Sequence, residues 1–141
     1  MKKRIFLPLL CVFSAFLYSN IRSSCTYSGE MDAVSSHSTI FNNSYTETIS
    51  VILNQQSISN YNSCAVEILQ HVYKNDFRSL RFSYDKRGFP LELRATVYLT
   101  KKDFLNGKPL FHMSYSQDSS IKPIYNIYDN PEMYHLTITR L

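Results

Sequence analysis

The sequence predicts an α+β fold in which a single helix packs on a mostly antiparallel sheet of about five strands. Several runs alternate apolar and polar residues, and one stretch places apolar residues three and four positions apart. Alternation is typical of a strand with one buried face, and the wider spacing is typical of a helix with one buried stripe. Elements of these two kinds pack as a helix across one face of a sheet.

The first predicted strand, residues 46–53, is followed by the predicted helix, near residues 62–75. Asn62 or Ser63 can cap the helix by accepting a hydrogen bond from an unpaired backbone N–H, and Asn75 suits its exit. The buried stripe should contain Ala65, Ile68, Leu69 and Val72.

Four further strands are predicted at residues 79–84, 90–100, 111–115 and 134–139. The clearest alternation runs through residues 90–100, where Leu93 and Val97 face the core, and Phe82 is the expected core residue of residues 79–84. The resulting order of one strand, one helix and four strands resembles that of cystatin-like domains. The Gln-x-Val-x-Gly loop of that family is absent, because the corresponding turn has the sequence YDKRGFP, so the resemblance does not extend to protease inhibition.

The N-terminus has the pattern of a secretory signal peptide over residues 1–24. Three basic residues precede an uncharged run from Ile5 to Tyr18, and small polar residues follow. A 14-residue helix is about 21 Å long, which is too short for a hydrocarbon core of about 30 Å. We therefore expect export to the periplasm, the cell surface or the medium. Residues 25–44 are expected to form a flexible lead-in to a single domain at residues 45–141.

Two fates are open for Cys25 and Cys64, the cysteines outside the signal. Cys25 follows Ser23 and Ser24, as the lipid-modified cysteine of a bacterial lipoprotein would, although Arg22 stands where an aliphatic residue is usual. Alternatively, the two cysteines form one disulfide in an oxidising compartment. Contact with a membrane is expected only if Cys25 is lipidated. Two cysteines and four scattered histidines give no metal-ligand pattern.

The net charge argues against nucleic acid as a partner. The chain has 15 basic and 11 acidic residues, and four of the basic ones lie in the signal, so the remainder is formally neutral. The bases are concentrated in residues 74–108, which contain nine of them and four acids. An acidic protein surface or an anionic glycan is therefore the expected partner. No phosphate-binding loop or dinucleotide fingerprint is present, so no cofactor is expected.

Two groups of residues are candidates for a binding site. On the polar side of the predicted sheet, Arg81, Arg94 and His112 could meet an anion. Near a turn at Asp129–Pro131, Tyr125 and Tyr128 could supply rigid contact area. Besides Arg81, Arg94 and His112, the residues expected on the polar side are Glu92, Thr96, Tyr98, His135 and Thr137.

The alternative to a binding module is a small cysteine hydrolase. Cys64 lies near the start of the predicted helix, where the helix dipole favours a thiolate, and His112 on a later strand is the candidate base. However, alternation directs His112 away from the sheet face that carries Phe111, and the chain has only three glycines from which to build an oxyanion site. The sequence therefore favours a non-enzymatic binding or accessory domain.

Overall fold

The structure, a computed structural model, describes residues 29–118, 120 and 124–141. Its elements, in chain order, are β1 (Asp32–Phe41), β2 (Ser44–Ile52), α1 (Tyr61–Lys74), α2 (Tyr84–Arg87), β3 (Glu92–Tyr98), α3 (Lys101–Leu105), β4 (Phe111–Gln117), a 3-10 turn (Pro131–Met133) and β5 (Tyr134–Arg140).

The five strands form one sheet in the order β1-β2-β3-β4-β5. Neighbouring strands are antiparallel except β2 and β3, which are parallel because the chain crosses over through α1 between them. The predicted α+β class with a mostly antiparallel five-stranded sheet is confirmed.

Helix α1 packs across one side of the sheet and forms the core with it. Its buried residues are the predicted stripe together with Cys64. Tyr61 in its first turn contacts Phe111 of β4 edge-on, with ring centroids 5.4 Å apart. The predicted core residues, all buried, are Ile68, Leu69, Val72, Phe82, Leu93 and Val97. Asn75 ends the helix, as predicted, and adopts the left-handed conformation.

The N-terminal cap of α1 differs from the prediction. Asn60, rather than Asn62 or Ser63, is the cap, and its side chain accepts from the Ser63 N–H at 3.0 Å. The helix therefore begins at Tyr61, one turn before Cys64, and the Cys64 N–H is already bonded to the Asn60 carbonyl at 3.2 Å.

Residues 32–41, placed by the sequence in a flexible lead-in, form strand β1 instead. The strand ends in a two-residue turn at Asn42 and Asn43, which both have positive φ, as a tight type I′ hairpin requires. Beyond Ala33 its side chains are exposed or half-buried on both faces, because β1 is the edge of the sheet. An edge strand of this kind has no apolar alternation, so its sequence resembles that of a loop.

Residues 79–84, predicted as a strand, are not part of the sheet. The Asn75 side-chain amide pairs with both backbone groups of Phe82, accepting from its N–H at 2.7 Å and donating to its carbonyl at 2.9 Å. Phe82 is buried and Leu80 and Tyr84 are half-buried, whereas Arg81 and Ser83 are exposed, which explains the alternation, but the backbone of Phe82 bonds to Asn75 instead of to a neighbouring strand.

Two carboxylates on β1 and β2 are buried. Asp32 accepts from the Ser79 N–H at 3.0 Å and from the Ser79 hydroxyl, and thereby fixes the segment that follows α1. Glu47 Oε2 accepts from Ser38 at 2.6 Å and from Tyr45 at 2.7 Å, while its Oε1 has no hydrogen-bond partner in the described part of the chain. Burial, followed by the bond to Glu47 and the charge of Glu47, raises the pKa of Tyr45 to about 12.

The predicted signal peptide, residues 1–24, and Cys25 lie outside the described residues. The predictions of export, lipidation and a Cys25–Cys64 disulfide therefore remain predictions. Cys64 itself is buried and is bonded to no other cysteine among the described residues. Within the described residues, no helix combines the length and apolar character needed to cross a membrane.

Candidate binding face of the sheet

The side of the sheet opposite α1, called here the open face, carries polar side chains in register across the strands. Residues paired between neighbouring strands point to the same side, so the register defines its members. All are exposed or half-buried: Thr46, Thr48 and Ser50 on β2, Glu92, Arg94 and Thr96 on β3, His112, Ser114 and Ser116 on β4, and His135, Thr137 and Thr139 on β5. Hydroxyl groups dominate this surface.

Strand β1 extends the open face by one more strand. His37 is paired with Thr48, and Thr39 with Thr46, so both side chains point away from α1 and both are exposed. Neither residue was predicted to lie on the polar side, because residues 25–44 were expected to form a flexible lead-in.

A shallow depression of about 330 Å³ lies at the centre of the open face. Its polar lining comes from four strands and consists of Thr48, Arg94, Thr96, His112, Ser114, Thr137 and Thr139. The Thr96 hydroxyl and His112 Nδ1 are 3.1 Å apart and hydrogen-bonded. A ligand here would meet hydroxyl, imidazole and guanidinium groups together.

Arg94 supplies the positive charge of the depression and is partly engaged by Glu92. Its Nε donates to Glu92 Oε1 at 2.8 Å and its Nη2 donates to Oε2 at 3.2 Å. This bonding raises the pKa of Arg94 above its ordinary value. The guanidinium nevertheless keeps Nη1 as a further donor, and the Arg94 side chain is 61 % exposed, so an anion can reach it.

The structure brings Arg94 and His112 together but separates Arg81 from them. Arg81 lies in the segment between α1 and α2, outside the sheet, where its guanidinium donates to the Phe77 carbonyl. The prediction that Arg81 and Arg94 share the polar face is therefore wrong, since it depended on a strand that does not form. Tyr98 also points to the open-face side from its position in β3, but its ring packs edge-on against Phe104, with ring centroids 5.2 Å apart.

The two candidate tyrosines lie on the side of α1. Tyr128 is half-exposed, and its ring stacks on Phe89 with centroids 4.3 Å apart and contacts Tyr73 of α1. Tyr125 is half-buried, and its backbone carbonyl accepts from the Tyr134 hydroxyl. These rings pack the loop onto the domain, and neither joins Arg94 and His112.

Cys64 and His112 lie on opposite sides of the sheet. Cys64 is buried on the α1 side, beside a pocket lined by Ser57, Ile58, Asn60, Ser63 and Glu67, whereas His112 belongs to the open face. Burial, followed by the charge of Glu67, raises the pKa of the Cys64 thiol to about 11. A raised pKa works against the thiolate that a cysteine nucleophile requires.

Comparison of the chain with protein-family models, with curated proteins and with solved structures finds no match. Among the described residues, no three His, Cys, Asp or Glu side chains are grouped to hold a metal ion.

Proposed function

We propose that this protein is an exported, non-enzymatic binding domain whose open face binds an acidic glycan. The observation that carries the proposal is the central depression, where Arg94, His112 and a set of hydroxyl groups converge on a surface that α1 does not cover. The side chains of this surface form no part of the apolar core, so the fold does not require their chemistry.

The ligand class follows from the donors and acceptors present. Serine and threonine hydroxyls both donate and accept, so they match the hydroxyl groups of a sugar. Arg94 adds a charged, planar donor suited to a carboxylate or sulfate. Because Glu92 engages part of Arg94 and lies on the same face, we expect moderate affinity that weakens with added salt.

A non-enzymatic role is supported by the separation of the two residues that a cysteine hydrolase would use. Cys64 and His112 are divided by the sheet, and burial raises the pKa of the thiol.

The basic residues of segment 74–108 lie on different sides of the sheet. Arg94 is on the open face, while Arg81 and Arg87 lie at the α1 side.

The test is binding of the purified protein to immobilised carboxylated, sulfated and neutral glycans. Arg94→Ala should weaken binding of the acidic glycans about 5- to 10-fold, because one exposed charge-assisted contact contributes roughly 1 kcal/mol. Glu92→Gln should strengthen it, because it removes an acidic competitor for Arg94. His112→Ala should also reduce binding.

Arg81→Ala is the matched control, because it removes an arginine that lies off the open face. It should leave glycan binding unchanged once circular dichroism shows an intact fold. Equal losses for Arg81→Ala and Arg94→Ala, or failure to bind any acidic glycan, would exclude the open face as the site we propose.

A further inference from the structure

Strand β1 is unusual for an edge strand in that no Asp, Glu, Lys or Arg follows Asp32 along its length. From Ala33 to Phe41 the strand contains no Asp, Glu, Lys, Arg or Pro. Proteins commonly protect such edges with charges, proline or short length, because unpaired N–H and C=O groups accept another strand. The opposite edge strand, β5, is shorter at seven residues and carries Arg140.

The backbone groups available at this edge follow from the hairpin. In a two-residue hairpin the residues flanking the turn, Phe41 and Ser44, exchange backbone hydrogen bonds, and such bonded pairs alternate along the strands. Ser36, Ser38 and Ile40 therefore direct their N–H and C=O groups away from β2. In the described part of the chain, β1 is paired with β2 alone.

The exposed apolar side chains of β1 are placed at its two ends. Ile40 and Phe41 are 67 % and 71 % exposed beside the hairpin turn, and Val34 is 38 % exposed at the bulge near the start of the strand. If two copies of β1 run antiparallel, the Ile40–Phe41 end of each copy meets the Val34 end of the other. The apolar ends of two antiparallel copies of β1 would therefore meet each other.

We propose that a second copy of this chain pairs antiparallel with the outer edge of β1, forming a twofold dimer with a continuous ten-stranded sheet. Residues 33–41 contain no Lys, Arg, Asp or Glu, which favours this partner, since with His37 neutral no charged side chains of the strand itself meet when it faces its own copy. Arg87 reaches β1 from the α1 side, where it donates to the Ser38 hydroxyl at 3.0 Å. The same hydroxyl donates to Glu47.

This pairing places both open faces on one side of the dimer. A twofold axis perpendicular to the sheet reverses the strand direction without turning the sheet over. A dimer of this form presents two copies of the Arg94 depression toward one surface, although the pairing itself does not depend on what the depression binds.

The test is sedimentation of the purified protein over a concentration range from about 1 μM to about 1 mM, which covers the affinities of weak and moderate dimers. We expect a monomer–dimer equilibrium. Ile40→Lys puts a charge where Ile40 would meet the apolar Val34 end of the second copy, and Ser36→Pro removes an outward N–H that the β1–β2 ladder does not use. Each should raise the dimer dissociation constant at least about 10-fold.

Leu105→Lys is the matched control, because Leu105 is 71 % exposed on α3, away from β1. It should leave the dissociation constant unchanged. Hydrogen exchange at the Ser36 and Ile40 amides should slow as concentration rises, which a dimer formed through another surface would not cause. A monomer at every concentration, a dimer insensitive to both edge variants, or exchange at these amides that ignores concentration would overturn the proposal.

Discussion

The thiol of Cys64 should be unreactive in the folded protein. Burial, with a smaller effect from the charge of Glu67, raises its pKa from the ordinary 9.0 to about 11. A raised thiol pKa means a smaller thiolate fraction at any pH below it. At pH 8 the thiolate fraction is then about 0.1 %, against about 9 % for an ordinary thiol, so reaction should slow about 100-fold through ionisation alone. Limited access to the buried sulfur should slow it further.

Alkylation by iodoacetamide at pH 8, compared between native protein and protein in urea, measures this effect. Mass spectrometry of the Cys64 peptide separates its modification from that of any other cysteine. Glu67→Gln removes the smaller cause of the pKa shift and keeps the burial, so native labelling should become only a few-fold faster. Glu132→Gln, an exposed acid on the 3-10 turn, is the control and should leave the rate unchanged.

A native Cys64 that reacts as fast as, or faster than, the unfolded chain would refute this reasoning. It would mean that the sulfur is accessible and ionised near neutral pH, and the cysteine hydrolase would then become the better hypothesis. A rate that rises strongly in Glu67→Gln would show instead that charge, rather than burial, controls the thiol.

Three further predictions concern stability. Asn60→Ala should cost about 1 kcal/mol in urea unfolding because it removes the helix cap, whereas Asn62→Ala, inside the first turn, should cost nothing or stabilise slightly. Asp32→Ala should cost about 2–4 kcal/mol in the same assay, because the Ser79 N–H and hydroxyl lose a buried charged acceptor. Burial raises the pKa of several tyrosines above the ordinary 10.0, to about 12 for Tyr45 and Tyr134, so the folded state favours the neutral phenol. Stability should therefore be independent of these groups below pH 10 and fall between pH 10 and about 12, by at most about 1.4 kcal/mol per pH unit for each tyrosine. Urea midpoints measured across this range check the slope, and a stability that rises there would contradict it.

The elements predicted correctly from the sequence are those in which one face is buried in the core between α1 and the sheet. Strand β3 and helix α1 were located because Leu93, Val97, Ile68 and Val72 repeat with the period of their element. Strand β1 was missed for the opposite reason: an edge strand that is exposed on both faces has no periodic pattern of apolar residues. The Asn42-Asn43 pair was the feature that could have located it, because asparagine tolerates the positive φ that a type I′ hairpin requires at both turn positions.

The misplacement of Arg81 has a different physical origin. Alternation reports which side chains are buried, but it does not report what the backbone is bonded to. The segment around Phe82 buries alternate side chains, yet its backbone bonds are made by the Asn75 amide. Such a side-chain substitute for a strand depends on the path of the chain after α1, which local sequence does not encode.

Residues on the α1 side of the sheet determine stability, whereas residues on the open face are those proposed to bind. The core lies on the α1 side, and its removal or overpacking changes the free energy of unfolding. The open face contributes mainly exposed and half-buried polar groups, for which substitutions usually change that free energy by less than about 0.5 kcal/mol. Losses of binding after changes at Arg94 or His112 can therefore be assigned to lost contacts rather than to unfolding. Glu47 belongs with the residues of the α1 side, because its side chain is buried with the core although it is acidic. A polar residue near the open face is thus a candidate for binding only if the sheet register directs it away from α1, and Arg94, Thr96 and His112 meet that condition.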